Sequence, residues 1–316
     1  MVDVVVSEDH LVRTVKLFNK NVEIRNYGCG NKLSHPEIIN PPRLNLYIQL
    51  NSACNGSCNF CEYYKEQSHK FNIEKLKFII EELNKNINIG KLNITGGEPT
   101  LNLDLLDNVI NCLINEIDIN NIPELILNTN GYNLLELLKY DLFFSSIALS
   151  YHHYDDEKNF EIFNSKNVSN SKDILNFQLN TKNPNVLKLR CNLINGYIDC
   201  FDEVKKYLDH MITLNCYDCG FVTLMPLNKY CTTHQIDFAH LIDINDDCFL
   251  KVNYWNRYDK QLKNIVCNCG NYVYVNEDGK TCKFYSRLFC HSDLKEGQLV
   301  YDGQFLREGF GGRIIF

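Results

Sequence analysis

No stretch of this 316-residue sequence approaches ~20 uninterrupted apolar residues, so no membrane span is expected. Nor is there a dense run of Lys or Arg. With a formal net charge of −7, a nucleic-acid partner is disfavoured. The first ten residues (MVDVVVSEDH) lack the positive leader and long apolar core of a signal peptide, which points to a cytoplasmic protein. That absence also frames the fifteen cysteines: without a secretory signal they suggest metal or redox chemistry rather than a disulfide framework. Asparagine is abundant but forms no tract, and carries no functional reading. What is present is enough apolar material, 45 % of residues, for a sizeable core in one large domain or a domain with a small appendage.

From Leu44 onward, short apolar runs alternate with helical patterns, the signature of βα units around a parallel sheet. Strands are expected at Leu44–Leu50, Lys91–Thr95, Glu124–Asn128, Ser146–Tyr151, Val186–Asn192 and Phe221–Met225. Asn72 is placed to cap a helix in which Leu76, Ile79, Ile80 and Leu83 recur at helical spacing. Leu105, Leu106, Val109, Ile110, Leu113 and Ile117 mark a second helix, with Cys112 on its apolar face, and Asp202–Met211 a further one. The expected fold is α/β: a partial (β/α)6 TIM-like barrel over residues 44–228. A strand-like N-terminal cap or docking segment (1–43) precedes it, and a small C-terminal α+β cluster-binding domain (229–316) follows. The site of such a barrel lies at the C-terminal ends of its strands.

Directly after the first strand come Cys54, Cys58 and Cys61, spaced CxxxCxxC. Iron–sulfur and structural zinc sites usually take four ligands. Three thiolates with no obvious fourth nearby would leave one iron open to a substrate or cofactor. The spacing alone also fits zinc. Its context is more specific: Phe60 precedes the last cysteine, and Gly96-Gly97-Glu98-Pro99 follows the second strand.

This combination resembles the radical SAM superfamily, over roughly Leu44–Pro226. The resemblance implies a [4Fe–4S] cluster on Cys54, Cys58 and Cys61 whose open iron binds S-adenosylmethionine. It implies reductive cleavage of that cofactor to a 5′-deoxyadenosyl radical, fed by an external low-potential donor of flavodoxin or ferredoxin type. Gly96 and Gly97 would let the backbone approach the methionyl end closely. Within the same Gly96–Pro99 tetrad Glu98 would face the ammonium, and Phe60 would pack on the adenine. By the same resemblance Asn128, in the Asn-Thr-Asn-Gly turn after the third strand, and Ser150, at the end of the fourth, are candidate cofactor contacts; alternation along the fifth strand adds Arg190 and Asn192 as candidates for the methionyl carboxylate or ribose. Each also has a purely structural reading as a turn or strand end.

His152 and His153 follow Ser150; they could bind substrate or relay protons, with a satisfied structural role as the alternative. Farther on, Cys267 and Cys269 precede two apolar runs joined by Asn276-Glu277-Asp278-Gly279. Cys282 lies in the second run and Cys290 beyond it. The Asp-Gly turn argues a β-hairpin that brings its two ends together. The arrangement resembles the Twitch-type auxiliary cluster domain, a shortened SPASM domain, with Cys267, Cys269, Cys282 and Cys290 as ligands of a second iron–sulfur cluster; zinc is the alternative. Cys216, Cys219 and Cys231 bracket the sixth strand as possible ligands or hydrogen donors, and Cys29, Cys191, Cys200 and Cys248 read as thiols without a ligand role. Trp255 and its neighbours (VNYWNRY) read as a helix packed on the barrel's side.

Three function classes result. The first is a radical enzyme modifying a ribosomally made precursor peptide by epimerisation, crosslinking or oxidation. The second is a small-molecule dehydrogenase or cyclase in cofactor or antibiotic biosynthesis. The third, a non-catalytic iron–sulfur carrier or sensor, sits badly with the Gly-Gly-Glu-Pro tetrad and the barrel pattern.

Overall fold

The computed structural model describes residues 5–6, 12–25, 43–62, 70–86, 88–116, 124–236, 247–254, 258–259, 264–265, 270–287 and 298–316. The fold is α/β, a mixed sheet with flanking helices, consistent with a partial TIM-like barrel. The chain divides into two compact units: Met1–Cys54, Tyr63–Asn128 and Ser292–Phe316 form one, Asn55–Glu62 and Thr129–His291 the other.

In unit one, β1 (Arg43–Gln49), β2 (Asn88–Thr95) and β3 (Leu125–Thr129, whose last residue opens unit two) run parallel, with Leu46 opposite Leu92 and Leu92 opposite Leu125. Alternate residues Leu44, Leu46 and Ile48 of β1 are fully buried, as expected for a pleated strand with one face in the core. Helix α1 (Ile73–Asn86) buries Leu76, Ile79, Ile80 and Leu83, and Asn72 caps it by accepting from Lys75 N at 2.9 Å. Helix α2 (Leu103–Glu116) buries Leu106, Val109, Ile110 and Leu113. On the other side of β1, Gln298–Tyr301 pairs in parallel (Val300 opposite Tyr47), and Leu306–Glu308 returns antiparallel to it.

The N-terminal segment forms a separate three-stranded antiparallel sheet of Val5–Val6, Val12–Leu17 and Lys20–Arg25. Its tight hairpin turns on Phe18 and Asn19, whose φ values of 49° and 62° give the twist that two-residue hairpins need.

In unit two, β4 (Ser146–Ser150), β5 (Leu187–Leu193) and β6 (Asp218–Thr223) run parallel, accompanied by α3 (Asp156–Phe163), α4 (Ser171–Asn180), α5 (Phe201–Thr213) and α6 (Lys229–His234). Tyr207 of α5 packs on Phe221 of β6, which in turn meets Phe284. The expected hairpin is present: Gly270–Val275 pairs antiparallel with Thr281–Arg287 about a turn with Gly279 at φ +74°. Thr281–Arg287 then pairs in parallel with β6, so this hairpin extends the sheet of unit two. Residues 229–316 thus supply strands to both units. Val252–Tyr254, read as helical, belong to the strand Phe249–Tyr254, held antiparallel to Gly270–Val275; Trp255 lies outside the described residues. Among the described residues, no helix is long and apolar enough to cross a membrane.

Candidate functional site

In unit one the chain leaves β1 and passes against the end of β2, backbone on backbone. Leu50 N donates to Thr95 O, Gly97 N to Asn51 O and Glu98 N to Ala53 O, each at 2.8 Å, and Asn51 Nδ2 donates to Glu98 O at 3.2 Å. A Cβ on Gly97 would lie 2.2 Å from Ala53 O, and one on Gly96 2.7 Å from Asn51 O. Neither glycine has a positive φ, so space rather than backbone conformation demands them. The close approach is to residues 51–53, immediately before Cys54, a neighbour that the motif does not reveal. Glu98 is 1 % exposed and caps the short turn Pro99–Leu101, its Oε1 accepting from Thr100 N at 2.9 Å and Thr100 Oγ1 at 2.7 Å. Asn128 Nδ2 donates to Ile94 O at 3.4 Å, tying the end of β3 to β2.

In unit two the loop carrying Cys58 and Cys61 is gripped along its length. Asn130 Nδ2 donates to Asn55 Oδ1 at 2.8 Å, Asn55 Nδ2 donates to Asn167 O, and Ser57 N donates to Phe163 O at 2.9 Å. Cys58 is 8 % exposed and packs with Phe163 and Val168, flanked by Phe60, Cys61 and Phe160. Gly131 holds the Asn-Thr-Asn-Gly turn at φ +80°, where a Cβ would lie 2.0 Å from Ser169 Oγ.

Phe60 also meets His152 edge-on, with ring centroids 5.4 Å apart, and His152 stacks on Phe163 at 4.9 Å. His152 Nδ1 accepts from Asn192 N at 3.1 Å, which places the proton of the neutral ring on Nε2. Burial pushes its pKa down to about 3. His153, fully buried, accepts from Asp155 N through Nδ1 at 2.9 Å, and burial pushes it down to about 4. Both histidines are therefore neutral acceptors for backbone amides. The unfolded imidazole of His152 takes its proton near 6.5, whereas the folded one resists it to about 3. Unfolding therefore binds a proton in that window, and the associated stability, complete above 6.5, is lost as pH falls toward 3. Chemical unfolding at pH 4.5 is expected to give a stability lower by about 3 kcal/mol for His152 alone, with His153 acting in the same direction. A His152→Phe variant should show a flatter pH profile.

The three strand-borne candidates of unit two share one face. Ser150 is opposite Arg190, Arg190 opposite Gly220 and Gly220 opposite Tyr285, a row across four parallel strands, with Asn192 two residues beyond Arg190. Their neighbours Leu189, Cys191, Cys219 and Phe221 point the other way and are fully buried. A Cβ on Gly220 would lie 2.3 Å from the Tyr285 ring; its absence lets the ring lie across β6. The Arg190 guanidinium sits 4.7 Å from that ring's centroid and 3.7 Å from Asp218 Oδ1. Sequence reading missed Tyr285, because nothing local links a strand near the C-terminus to β5.

Cys216, Cys219 and Cys282 are buried. Cys282 Sγ donates to Cys216 O at 3.8 Å, and burial pushes the Cys216 thiol up to about 12 and Cys219 well above its ordinary range. Cys267, Cys269 and Cys290, with Cys29, lie outside the described residues. Among the described residues no three His, Cys, Asp or Glu side chains are grouped to hold a metal ion. Cys54 lies in unit one and Cys58 and Cys61 in unit two, and each offers a thiol sulfur, the usual donor to iron–sulfur clusters. Among the described residues, Asn51 Oδ1, a buried atom just before Cys54, has no hydrogen-bond partner.

A family model described as the Radical SAM superfamily matches residues 48–211. Over 126 residues the chain is 32 % identical to a protein of Thermoplasma volcanium named as a probable GTP 3′,8-cyclase, covering 38 % of this chain and 36 % of that protein. It is 27 % identical over 173 residues to a putative glycyl-radical enzyme activating enzyme of Methanocaldococcus jannaschii, covering 51 % of this chain and 62 % of that one. The chain thus spans roughly a third to three-fifths of these curated relatives. Among solved structures, SuiB of Streptococcus suis bound to S-adenosylmethionine superposes with a TM-score of 0.55 at 14 % identity, covering 84 % of this chain and 59 % of that one, a likeness of fold.

Proposed function

The chain belongs to the radical SAM superfamily, and from that premise we propose that it abstracts hydrogen from an unactivated carbon of a ribosomally made peptide. Cys54, Cys58 and Cys61 would hold the [4Fe–4S] cluster, with Gly96–Pro99, Phe60, Asn128, Ser150, Arg190 and Asn192 as candidate contacts to S-adenosylmethionine. When bound, cluster and cofactor supply a 5′-deoxyadenosyl radical, the electron coming from an external low-potential donor of flavodoxin or ferredoxin type. The protein's part is positional: the junction of Gly96–Glu98 with Asn51–Ala53 fixes the root of the cysteine loop, and this observation carries the site assignment. Glu98, engaged with Thr100, acts in this reading by shaping the turn that the cofactor meets.

The peptide reading draws support from the separate N-terminal sheet, in which Lys20–Arg25 is an outer strand among the described residues, with Asn21 O already accepting from Arg313 Nη2. A second reading, a small-molecule cyclase or dehydrogenase, is favoured by the relatives named as GTP 3′,8-cyclases. The test is 5′-deoxyadenosine formation by the reconstituted, reduced enzyme with S-adenosylmethionine, supplied either with the peptide encoded beside its gene or with GTP. Stimulation by the peptide alone supports the first reading, and stimulation by GTP alone replaces it with the second. In deuterated buffer, a mass gain of one would mark epimerisation and a loss of two oxidation or crosslinking.

A second iron–sulfur cluster, in a Twitch-like C-terminal region, belongs to the same proposal, with Cys267, Cys269, Cys282 and Cys290 as candidate ligands. Cys282 is fully buried and directed toward Cys216, so it joins the set only if that cluster lies on the buried face of its strand. About eight irons per chain would support two [4Fe–4S] clusters, and about four would remove the second. Cys282→Ala is expected to keep the full iron content if Cys282 is a core thiol, and to lose about half of it if it is a ligand.

A further inference from the structure

The short helix α6 follows β6 and lies beside the cysteine loop within unit two. Its cap residue, Asn228, has three hydrogen-bond partners. Oδ1 accepts from Cys231 N at 2.9 Å, which starts the helix. Nδ2 reaches the loop, donating to Asn59 O at 3.0 Å and to Glu62 Oε1 at 3.3 Å. One turn on, Cys231, 1 % exposed, donates its thiol to Phe60 O at 3.6 Å. The carbonyls of both residues between Cys58 and Cys61 are thus taken by one segment. The Phe60 ring is held there too, packed with Tyr197 and Tyr230 against Ile162, Ile194, Leu224 and Cys231.

A planar peptide unit whose carbonyl is tied cannot rotate, so its N–H is fixed as well. The ties at Asn59 and Phe60 therefore fix the amides of Phe60 and Cys61; Cys61 N donates to Cys58 O at 3.0 Å. Amide directions and solvent access around cluster sulfurs set both the retention and the potential of an iron–sulfur centre. We infer that Asn228 is a positioning residue for the cluster site, latching the Cys58–Cys61 segment to α6 through its amide while its oxygen caps the helix. The inference rests on the reading that Cys54, Cys58 and Cys61 hold the cluster.

The two halves of the Asn228 side chain can be separated. Asn228→Ser keeps an oxygen able to cap Cys231 N but loses the donor that reaches Asn59, whereas Asn228→Ala loses both. The reconstituted chain and both variants would be challenged anaerobically with excess iron chelator, followed by the cluster's visible absorbance. A redox titration of the reduced cluster's electron paramagnetic resonance signal and thermal unfolding of the iron-free chains complete the measurement. Asn228→Ser is expected to lower the unfolding midpoint only slightly but to release iron at least about threefold to tenfold faster, from the loss of the bonds to Asn59 O and Glu62 Oε1, and with a shifted potential. Asn228→Ala should lower the unfolding midpoint further. Parent-like release and potential in Asn228→Ser would overturn the latch, as would release rates in the two variants that simply follow their unfolding midpoints. A parent chain that takes up no cluster would overturn the underlying assignment instead.

Discussion

Replacing Gly97 with alanine is expected to destabilise the chain by about 3 to 5 kcal/mol and to cut 5′-deoxyadenosine formation ~100-fold or more. The added carbon would lie 2.2 Å from Ala53 O, 2.5 Å from Ala53 C and 2.7 Å from Ser52 O. All three are backbone atoms, so no rotamer change relieves the contact, and the segment before Cys54 must move away from the end of β2. That movement breaks the bonds from Gly97 N to Asn51 O and from Glu98 N to Ala53 O, now 2.8 Å each. Overpacking of this kind costs ~1–3 kcal/mol and each lost hydrogen bond about 1, together a large share of an ordinary domain's 5–15 kcal/mol. Urea unfolding would read the stability and an iron assay the site. Gly279→Asn is a suitable control, because Gly279 sits in a turn with open space around it and at a φ of +74° that asparagine tolerates. A Gly97→Ala chain with the parent's midpoint and activity would show that the junction tolerates a side chain.

Cys58→Ala is expected to fail differently: the fold stays and the iron goes. Cys58 is 8 % exposed and packs against Phe163 and Val168, so losing its sulfur leaves a small cavity costing about 1 kcal/mol. The loop keeps its anchors, since the contacts of Asn55, Ser57 and Asn59 do not involve that thiol. With two thiolates left, iron at the site should fall to near zero. S-adenosylmethionine cleavage should drop beyond the ~10–100-fold that losing a mere outer-shell partner costs. Circular dichroism matching the parent, together with absent cluster absorbance, is the expected pair of results. Full iron and turnover in Cys58→Ala would remove it from the ligand set.

The parts of this architecture that were legible in the sequence are those encoded by local period. The α1 and α2 faces, the alternation of β1 and the Asp-Gly hairpin all follow from spacing within one element. The pairing of Gln298–Tyr301 with β1, and of Thr281–Arg287 with β6, joins residues far apart in the chain and leaves no local trace, which is why residues 229–316 read as an appendage. Val252–Tyr254 misled because aromatic-rich segments suit helix and strand alike until their partner, Gly270–Val275, is known. Within the site, the residue types of the cysteine and glycine motifs were readable, but the backbone that makes Gly96 and Gly97 obligatory was not. Asn228 carried no reading in the sequence, because its loop partners Asn59 and Glu62 lie far back in the chain and reach it only through packing.

The strand beside β1 also has a consequence in time. Tyr301 pairs with Ile48, so β1 is translated long before its neighbour on that side exists. At ribosomal speeds of ~5–20 residues per second, that interval is roughly 10–50 seconds. Throughout it, the nascent chain presents a strand whose Leu44, Leu46 and Ile48 are destined for the core, with one row of amides and carbonyls unpaired. Fragments ending before Gln298 would keep that edge permanently. Chaperone demand and inclusion-body formation should therefore track whether the Gln298–Tyr301 strand has been made, more than the state of any cysteine.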